Sequence, residues 1–116
     1  KGKRGTREML AYLKKNFSVA LMIDQRVTEG IKCDFFGKPA FTTTIPAQIV
    51  KKFGCEIVPV YIERIENINF NLTIENPLKF EKNETVEEIT LKLNKVLEKM
   101  ILNNPSQWIL THNRWK

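Results

Sequence analysis

The feature that most constrains the fold is a capped amphipathic segment near the C-terminus. Thr85-Val86-Glu87-Glu88 is a capping box, with Thr85 at the N-cap and Glu88 three residues later. Pro105 follows the segment and ends it. The pattern predicts a long helix with one apolar face that packs against another layer of the fold. The apolar face consists of Ile89, Leu93, Val96, Leu97, Met100 and Ile101.

Two more helices and a buried strand are predicted in the first half of the chain. Apolar residues at helical spacing predict a helix over about 7–16. A second helix is expected to begin at Thr44 or Ile45 and to end at Gly54. The run SVALMI (18–23) is apolar throughout. It predicts a strand buried on both faces, as in a parallel sheet covered by helices.

The second half of the chain predicts a β-hairpin. The segment 56–65 predicts a strand in which Pro59 marks an edge, a bulge or the strand end, because proline cannot donate to a ladder. The segment 69–75 alternates apolar and polar residues and predicts the partner strand. Together the elements predict an α/β fold, a partial mixed sheet flanked by helices. Because its sheet edges look incomplete and the sequence begins at Lys1 rather than Met, we expect it to be a fragment of a larger domain.

Positive charge is concentrated in the first half of the chain. The formal net charge is +6, and residues 1–52 hold eleven basic and four acidic residues. Such a field attracts nucleic acid, phospholipid headgroups, phosphorylated substrates or an acidic carrier protein, or it serves solubility alone. Without an RNP-type aromatic motif, zinc-finger spacing or a basic zipper, nucleic acid is not expected as a partner. No apolar run approaches the ~20 residues of a membrane-spanning helix.

Two groups of residues are candidates for ligand binding. Asp24 and Gln25 follow the SVALMI run directly, and in open α/β sheets ligands bind beyond the carboxyl ends of strands. This pair offers one charged acceptor and one amide that both donates and accepts, although a loop-capping aspartate is the alternative. Lys3, Arg4 and Arg7 lie at the start of the first helix, where cations oppose the helix dipole. They indicate either an anion ligand or a solvated terminus.

The histidine and the cysteines do not form a recognisable catalytic or metal site. His112 is the only histidine, lies between Trp108 and Trp115, and is followed by no acid. These surroundings favour a structural role for His112. Cys33 and Cys55 are 22 residues apart with no histidine nearby, so reduced thiols are expected and a zinc site is not. Without a Gly-rich phosphate loop or a G-x-S-x-G elbow, the sequence predicts no cofactor.

Several segments together resemble a known family. They are MIDQR (22–26), GIKCDFFG (30–37), the stretch 38–64 and NNPSQWILTHNRWK (103–116). In combination they resemble the bacterial lipid A biosynthesis acyltransferases of the lauroyl/myristoyl type, within the lysophospholipid and glycerol-phosphate acyltransferase superfamily. The resemblance implies that residues 1–116 are the C-terminal part of a single, glycerol-phosphate-acyltransferase-like domain.

The resemblance also implies an activity. It is the transfer of a fatty acyl chain from acyl-carrier protein, or acyl-CoA, to a hydroxyl of a phosphorylated lipid A precursor. The expected location is the cytoplasmic face of the bacterial inner membrane. The catalytic base of the family is a histidine in a His-x-x-x-x-Asp/Glu motif, which this sequence lacks. The motif and a membrane helix are therefore expected upstream, and this chain alone is expected to be inactive.

Roles for individual residues follow from the same resemblance. Asp24 and Gln25 match a loop that lines the acceptor pocket. Arg7 matches a basic position in the preceding helix, and Lys3 and Arg4 lie near an arginine-containing region of the family. The resemblance thus implies that these five residues bind substrate, with no metal and no cofactor.

The aromatic residues and the C-terminus receive separate predictions. Phe35 and Phe36 are expected either to line an acyl channel or membrane-facing rim, or to form ordinary core. Pro59 matches a block that shapes the floor of the pocket. The resemblance implies a structural or membrane-proximal role for the terminal motif of His112, Arg114 and Trp115.

Two alternative functions stay open at the level of sequence. One is a glycerol-phosphate or lysophospholipid acyltransferase, which performs the same chemistry on a different acceptor. The other is a non-enzymatic basic module that binds acidic partners, which the charge surplus and the missing base favour.

Overall fold

Three helices and two β-hairpins make up the described chain, which confirms the α/β class. The computed structural model of the protein describes residues 3–109 and 113–115. The elements are α1 (Lys3–Leu13), β1 (Ile31–Phe35), β2 (Lys38–Thr42), α2 (Ile45–Phe53), β3 (Val60–Glu66), β4 (Asn69–Ile74), α3 (Val86–Asn103) and a 3₁₀ turn (Pro105–Gln107). Both pairs of strands, β1–β2 and β3–β4, are antiparallel.

The β1–β2 hairpin is closed by a two-residue turn. Phe36 and Gly37 both adopt positive φ angles, 53° and 73°. Two consecutive left-handed residues match the twist of the flanking strands, and glycine adopts that conformation without steric cost. The turn sets the register in which Phe35 pairs with Lys38 and Ile31 with Thr42.

Helix α3 joins two apolar clusters into one core. At its N-terminal end, Ile89 and Leu93 pack with Ala47 of α2. At its C-terminal end, Ile101 packs with Phe35 and, across the β1–β2 hairpin, Ala40. Burying one face of α3 against both an α-helix and a hairpin is the main source of its stability, because helix propensity alone is weak.

The β3–β4 hairpin extends from this core with one apolar face toward solvent. Ile62 pairs with Leu72 on that face, and both side chains are more than half exposed. The opposite face meets the end of α3, where the Asn104 side-chain amide donates to Glu63 at 3.0 Å. The Gln107 side chain binds the free edge of β3: it accepts from the Arg64 N–H and donates to the Arg64 carbonyl oxygen, each at 2.8 Å. Gln107 thus takes the place of a neighbouring strand at that residue.

The predictions that rest on local signals are confirmed. Thr85 and Glu88 form the capping box at the start of α3. Helix α2 begins at Ile45, and Gly54 caps its end in the left-handed conformation. The hairpin of the second half is also present, with β3 beginning one residue after Pro59.

Two predictions about the first half are wrong. The run 18–23 forms no strand: Met22 is 83% exposed, and none of the described strands pairs with this run. An extended segment needs a neighbouring strand for its backbone hydrogen bonds, and both sheets of the described chain hold only two antiparallel strands. Helix α1 ends at Leu13 rather than near Asn16, because Asn16 has a φ angle of 62° and terminates the turn.

Candidate functional site

Asp24 and Gln25 lie on the connection between α1 and β1. Asp24 is half-buried and Gln25 is exposed. We call residues 24–30 the Asp24 loop. Its last residue, Gly30, lies flat against the end of β2, where a Cβ atom at position 30 would come within 2.3 Å of the Thr42 carbonyl oxygen. Glycine is therefore required where the loop rests on Thr42.

The side chain of Arg114 reaches the same strand end from the C-terminal tail. Arg114 is only 1% exposed. Its guanidinium donates to the Phe41 carbonyl oxygen and, at 3.0 Å, to Thr42 Oγ1. The guanidinium carbon also lies 5.2 Å from the centroid of the Phe35 ring. This arrangement uses both the fork and the flat face of the guanidinium, neither of which lysine provides.

Asp24 and Arg114 interact electrostatically. Burial lowers the pKa of the Arg114 guanidinium from its ordinary value, and the negative charge of Asp24 opposes that effect. The Nε atom of Arg114 has no hydrogen-bond partner among the described residues. A buried cation is costly unless an anion lies close by. The charge of Asp24 therefore partly offsets the effect of burial on the pKa of Arg114.

A buried asparagine completes this polar cluster from the side of α3. The Asn94 amide donates to the Asp34 carbonyl oxygen at 2.8 Å and to Thr42 Oγ1 at 3.3 Å. Next to it, burial raises the pKa of the Cys33 thiol, which keeps that thiol protonated at neutral pH. The thiol is therefore poorly suited to act as a nucleophile. We call Thr42, Asn94 and Arg114 the Thr42 cluster.

The two phenylalanines of the β1–β2 turn lie in an aromatic cluster. Phe35 is fully buried, and its ring lies 4.9 Å from Phe36, 5.9 Å from Trp108 and 5.9 Å from Trp115 between centroids. The Trp115 indole N–H donates to the Phe35 carbonyl oxygen at 2.9 Å. These are contacts of core side chains, and an acyl channel at this position stays a prediction.

The remaining predicted site residues lie apart from this cluster or outside the described residues. Arg7 is exposed on α1, and within the described chain no hydrogen bond or ion pair joins it to Asp24. Helix α1 begins at Lys3, and the structure does not describe the side chains of Lys3 and Arg4. His112 is also outside the described residues. That these basic residues bind substrate together with Asp24 and Gln25 therefore stays a prediction.

Comparison with known proteins decides the family. A sequence model of the bacterial lipid A biosynthesis acyltransferases matches residues 2–116. The chain belongs to this acyltransferase family. A search of curated proteins found no significant match. The resemblance carried by the MIDQR, GIKCDFFG and C-terminal segments is thereby confirmed.

Membership of the acyltransferase family implies a general base. The family transfers acyl groups to a lipid, and such a reaction needs a group that removes the proton of the acceptor hydroxyl. The one histidine of the sequence is His112, which lies outside the described residues. The Thr42 cluster contains an amide, a hydroxyl and a guanidinium, which bind and orient rather than abstract protons.

Sequence reasoning missed two members of the Thr42 cluster. Asn94 occupies a position next to Leu93 on the buried face of α3, and a polar residue at such a position is a signal of a buried hydrogen-bonding role. Thr42 gave no signal, because it begins a run of three threonines. Only the fold shows that Thr42 is the buried member that receives Arg114.

Two surface grooves lie elsewhere on the acyltransferase chain. The larger, about 450 Å³, is next to the β3–β4 hairpin and is lined by Ile62, Arg64, Phe70, Gln107 and Ile109. The second, about 380 Å³, lies along the exposed side of α3. Neither is lined by Asp24 or Arg114.

Metal clusters and membrane-spanning helices are both absent from the described residues. Within residues 3–109 and 113–115, no three His, Cys, Asp or Glu side chains come together to hold a metal ion. Over the same part of the chain, no helix combines the length and apolarity that crossing a bilayer requires.

Proposed function

We propose that this chain is the acceptor-binding part of an acyltransferase. The enzyme moves a fatty acyl chain from acyl-carrier protein to a hydroxyl of a phosphorylated lipid A precursor. Family membership over residues 2–116 is the observation that carries the proposal. The proposed site of action is the cytoplasmic face of the bacterial inner membrane, where such a precursor is available to a carrier protein.

The Asp24 loop is the proposed contact with the acceptor. The Asp24 carboxylate accepts a hydrogen bond from an acceptor hydroxyl, and the exposed Gln25 amide binds a second polar group. Lys3, Arg4 and Arg7 bind the phosphates. A hydrogen bond between a guanidinium and a phosphate contributes about 1.5–3 kcal/mol, so two or three of them are sufficient to hold a headgroup.

The distribution of charge supports a polyanionic substrate or donor. Residues 1–52 hold eleven basic residues against four acidic ones. Phosphorylated lipids and an acidic carrier protein are both attracted to such a field, which raises their rate of association. The field acts on substrate capture and not on the chemical step.

The general base of the reaction is proposed to come from polypeptide outside this sequence. The complete His-x-x-x-x-Asp/Glu pattern of the family is not in these 116 residues. In such a pair, the acid fixes the ring while the imidazole removes the hydroxyl proton. The chain by itself is then expected to bind the acceptor without acylating it.

Asp24→Asn in the native gene product that contains this chain tests the proposal. We expect kcat/KM for the acceptor to fall by about 10–100-fold, which corresponds to about 1.4–2.7 kcal/mol of transition-state stabilisation. Glu29→Gln is the matched control, because Glu29 is an exposed carboxylate on the same loop. Asp24 would be only a loop cap if the fall in kcat/KM of Asp24→Asn were no larger than its loss of folding stability, both expressed as free energies. Equal falls in kcat/KM in Asp24→Asn and Glu29→Gln would lead to the same conclusion.

The choice of donor and acceptor separates the proposal from its rivals. The native enzyme is given acyl-carrier protein or acyl-CoA as donor and a lipid A precursor, a lysophospholipid or glycerol phosphate as acceptor. Preference for the lipid A precursor supports the proposal, whereas preference for either of the others assigns the chain to that acyltransferase class. Absence of acyl transfer, combined with tight and salt-sensitive binding of polyanions, would indicate a non-enzymatic basic module.

A further inference from the structure

Three separate parts of the chain meet at the end of β2. Gly30 of the Asp24 loop packs on the Thr42 carbonyl. Arg114 of the tail binds the Phe41 carbonyl oxygen and Thr42 Oγ1, and Asn94 of α3 also binds Thr42 Oγ1. The contact between Arg114 and Thr42 spans 72 residues of sequence. Thr42 is thus the point at which the tail and the loop meet.

We propose that Arg114 is a positioning residue for the Asp24 loop: by clamping Phe41 and Thr42 it fixes the surface on which Gly30 rests. This inference rests on the proposed role of the loop in acceptor binding. Arg114 itself is buried, with only 1% of its surface exposed. Its action on the acceptor passes through the backbone of β2 and the placement of Asp24.

The geometry explains why arginine occupies this position. Two acceptors, one on a carbonyl and one on a hydroxyl, are bound by one planar fork, which also lies over the Phe35 ring. A lysine has the same charge opposite Asp24 but offers a single ammonium without the fork. Arg114→Lys therefore removes the clamp and retains the charge, which separates positioning from simple charge balance.

The first measurement follows backbone order by ¹⁵N relaxation on the native gene product that contains this chain. In Arg114→Lys we expect the order parameters of residues 24–30 to fall from about 0.85 to below about 0.6, while those of α3 stay unchanged. Trp115→Phe is the matched control, because it removes a different hydrogen bond between the tail and the hairpin, at Phe35, without touching Thr42. It should leave the Asp24 loop ordered.

The second measurement uses the native gene product in the acyl-transfer assay. Arg114→Lys should raise KM for the acceptor about tenfold and change kcat by less than about twofold, because the loop binds substrate and supplies no base. Trp115→Phe should leave KM unchanged. If Arg114→Lys does not fold, Gly30→Ala displaces the same loop from Thr42 without altering Arg114, and it should raise KM in the same way.

The outcomes distinguish this inference from the proposed function. Loss of loop order together with a raised KM supports both. Unchanged loop order in Arg114→Lys, or an equal loss of order in α3, overturns the positioning role and leaves the proposed function standing. Loss of loop order with an unchanged KM overturns the binding role of the loop, and with it this inference.

Discussion

Gly30→Ala is the substitution whose effect the structure defines most closely. The new methyl group would lie 2.3 Å from the Thr42 carbonyl oxygen, 2.9 Å from the Thr42 carbonyl carbon and 3.1 Å from Val27 Cγ2. Two of these three atoms belong to the backbone and cannot move aside by a change of rotamer, so either the Asp24 loop or β2 must shift. Overpacking of this kind costs about 1–3 kcal/mol.

A smaller effect on the unfolded state opposes this cost. Alanine restricts the unfolded chain more than glycine does, and this raises the free energy of unfolding by about 0.4–1 kcal/mol. The expected net loss is therefore about 1–2 kcal/mol in the free energy of unfolding. With a urea m-value of about 1–3 kcal/mol/M, the unfolding midpoint should fall by roughly 0.3–2 M.

Urea titration followed by circular dichroism measures this loss, with Gly5→Ala as the control. A Cβ atom at Gly5, within α1, meets no atom within 4 Å. Because alanine is a better helix former, Gly5→Ala should leave stability unchanged or raise it by up to about 1 kcal/mol. If Gly30→Ala were as stable as the unsubstituted chain, the close packing of the Asp24 loop on Thr42 would be refuted.

Three further predictions concern α3, and each is checked by urea unfolding. Ile89→Ala should cost about 2–5 kcal/mol because Ile89 is fully buried, whereas Leu91→Ala, at a 39% exposed position, should cost less than about 1 kcal/mol; similar losses would contradict the assigned core. Thr85→Ala should cost about 1 kcal/mol through loss of the N-cap, and no change would argue against the capping box. Hydrogen bonds from Thr85 lower the pKa of Glu88. The contribution of the Glu88 carboxylate to the free energy of unfolding is therefore present above the ordinary glutamate pKa of about 4.3. It is lost as the pH falls through the lower pKa of Glu88 in the folded state. The stability difference from Glu88→Gln should vanish in acid, and a difference that persisted there would contradict this assignment.

The sequence predictions are accurate where the stabilising interactions join adjacent residues, and they fail where the interactions join distant parts of the chain. Thr85 with Glu88, and Gly54 at the end of α2, act within one turn of helix, so their signals are complete in a few adjacent residues. The run 18–23 has the composition of a buried strand, but a strand forms only where another strand supplies its hydrogen bonds. Composition therefore could not decide that Met22 is exposed.

The residues of the candidate site show the same difference between local and long-range signals. Asp24 was identified from its place after an apolar run, even though that run forms no strand. Its neighbour Arg114 was assigned only to a terminal motif, because nothing within ten residues of Arg114 shows that it meets Thr42. The structure adds this link between the tail and the loop.

By itself the sequence determined the family, the limits of α2, the capped start of α3 and the excess of positive charge in the first half. Only the tertiary structure decided that Arg114 is buried on Thr42, within electrostatic reach of Asp24. The physical reason is that a cap or a turn is stabilised by adjacent residues. A buried charge is tolerated only when folding brings distant acceptors and an opposite charge around it.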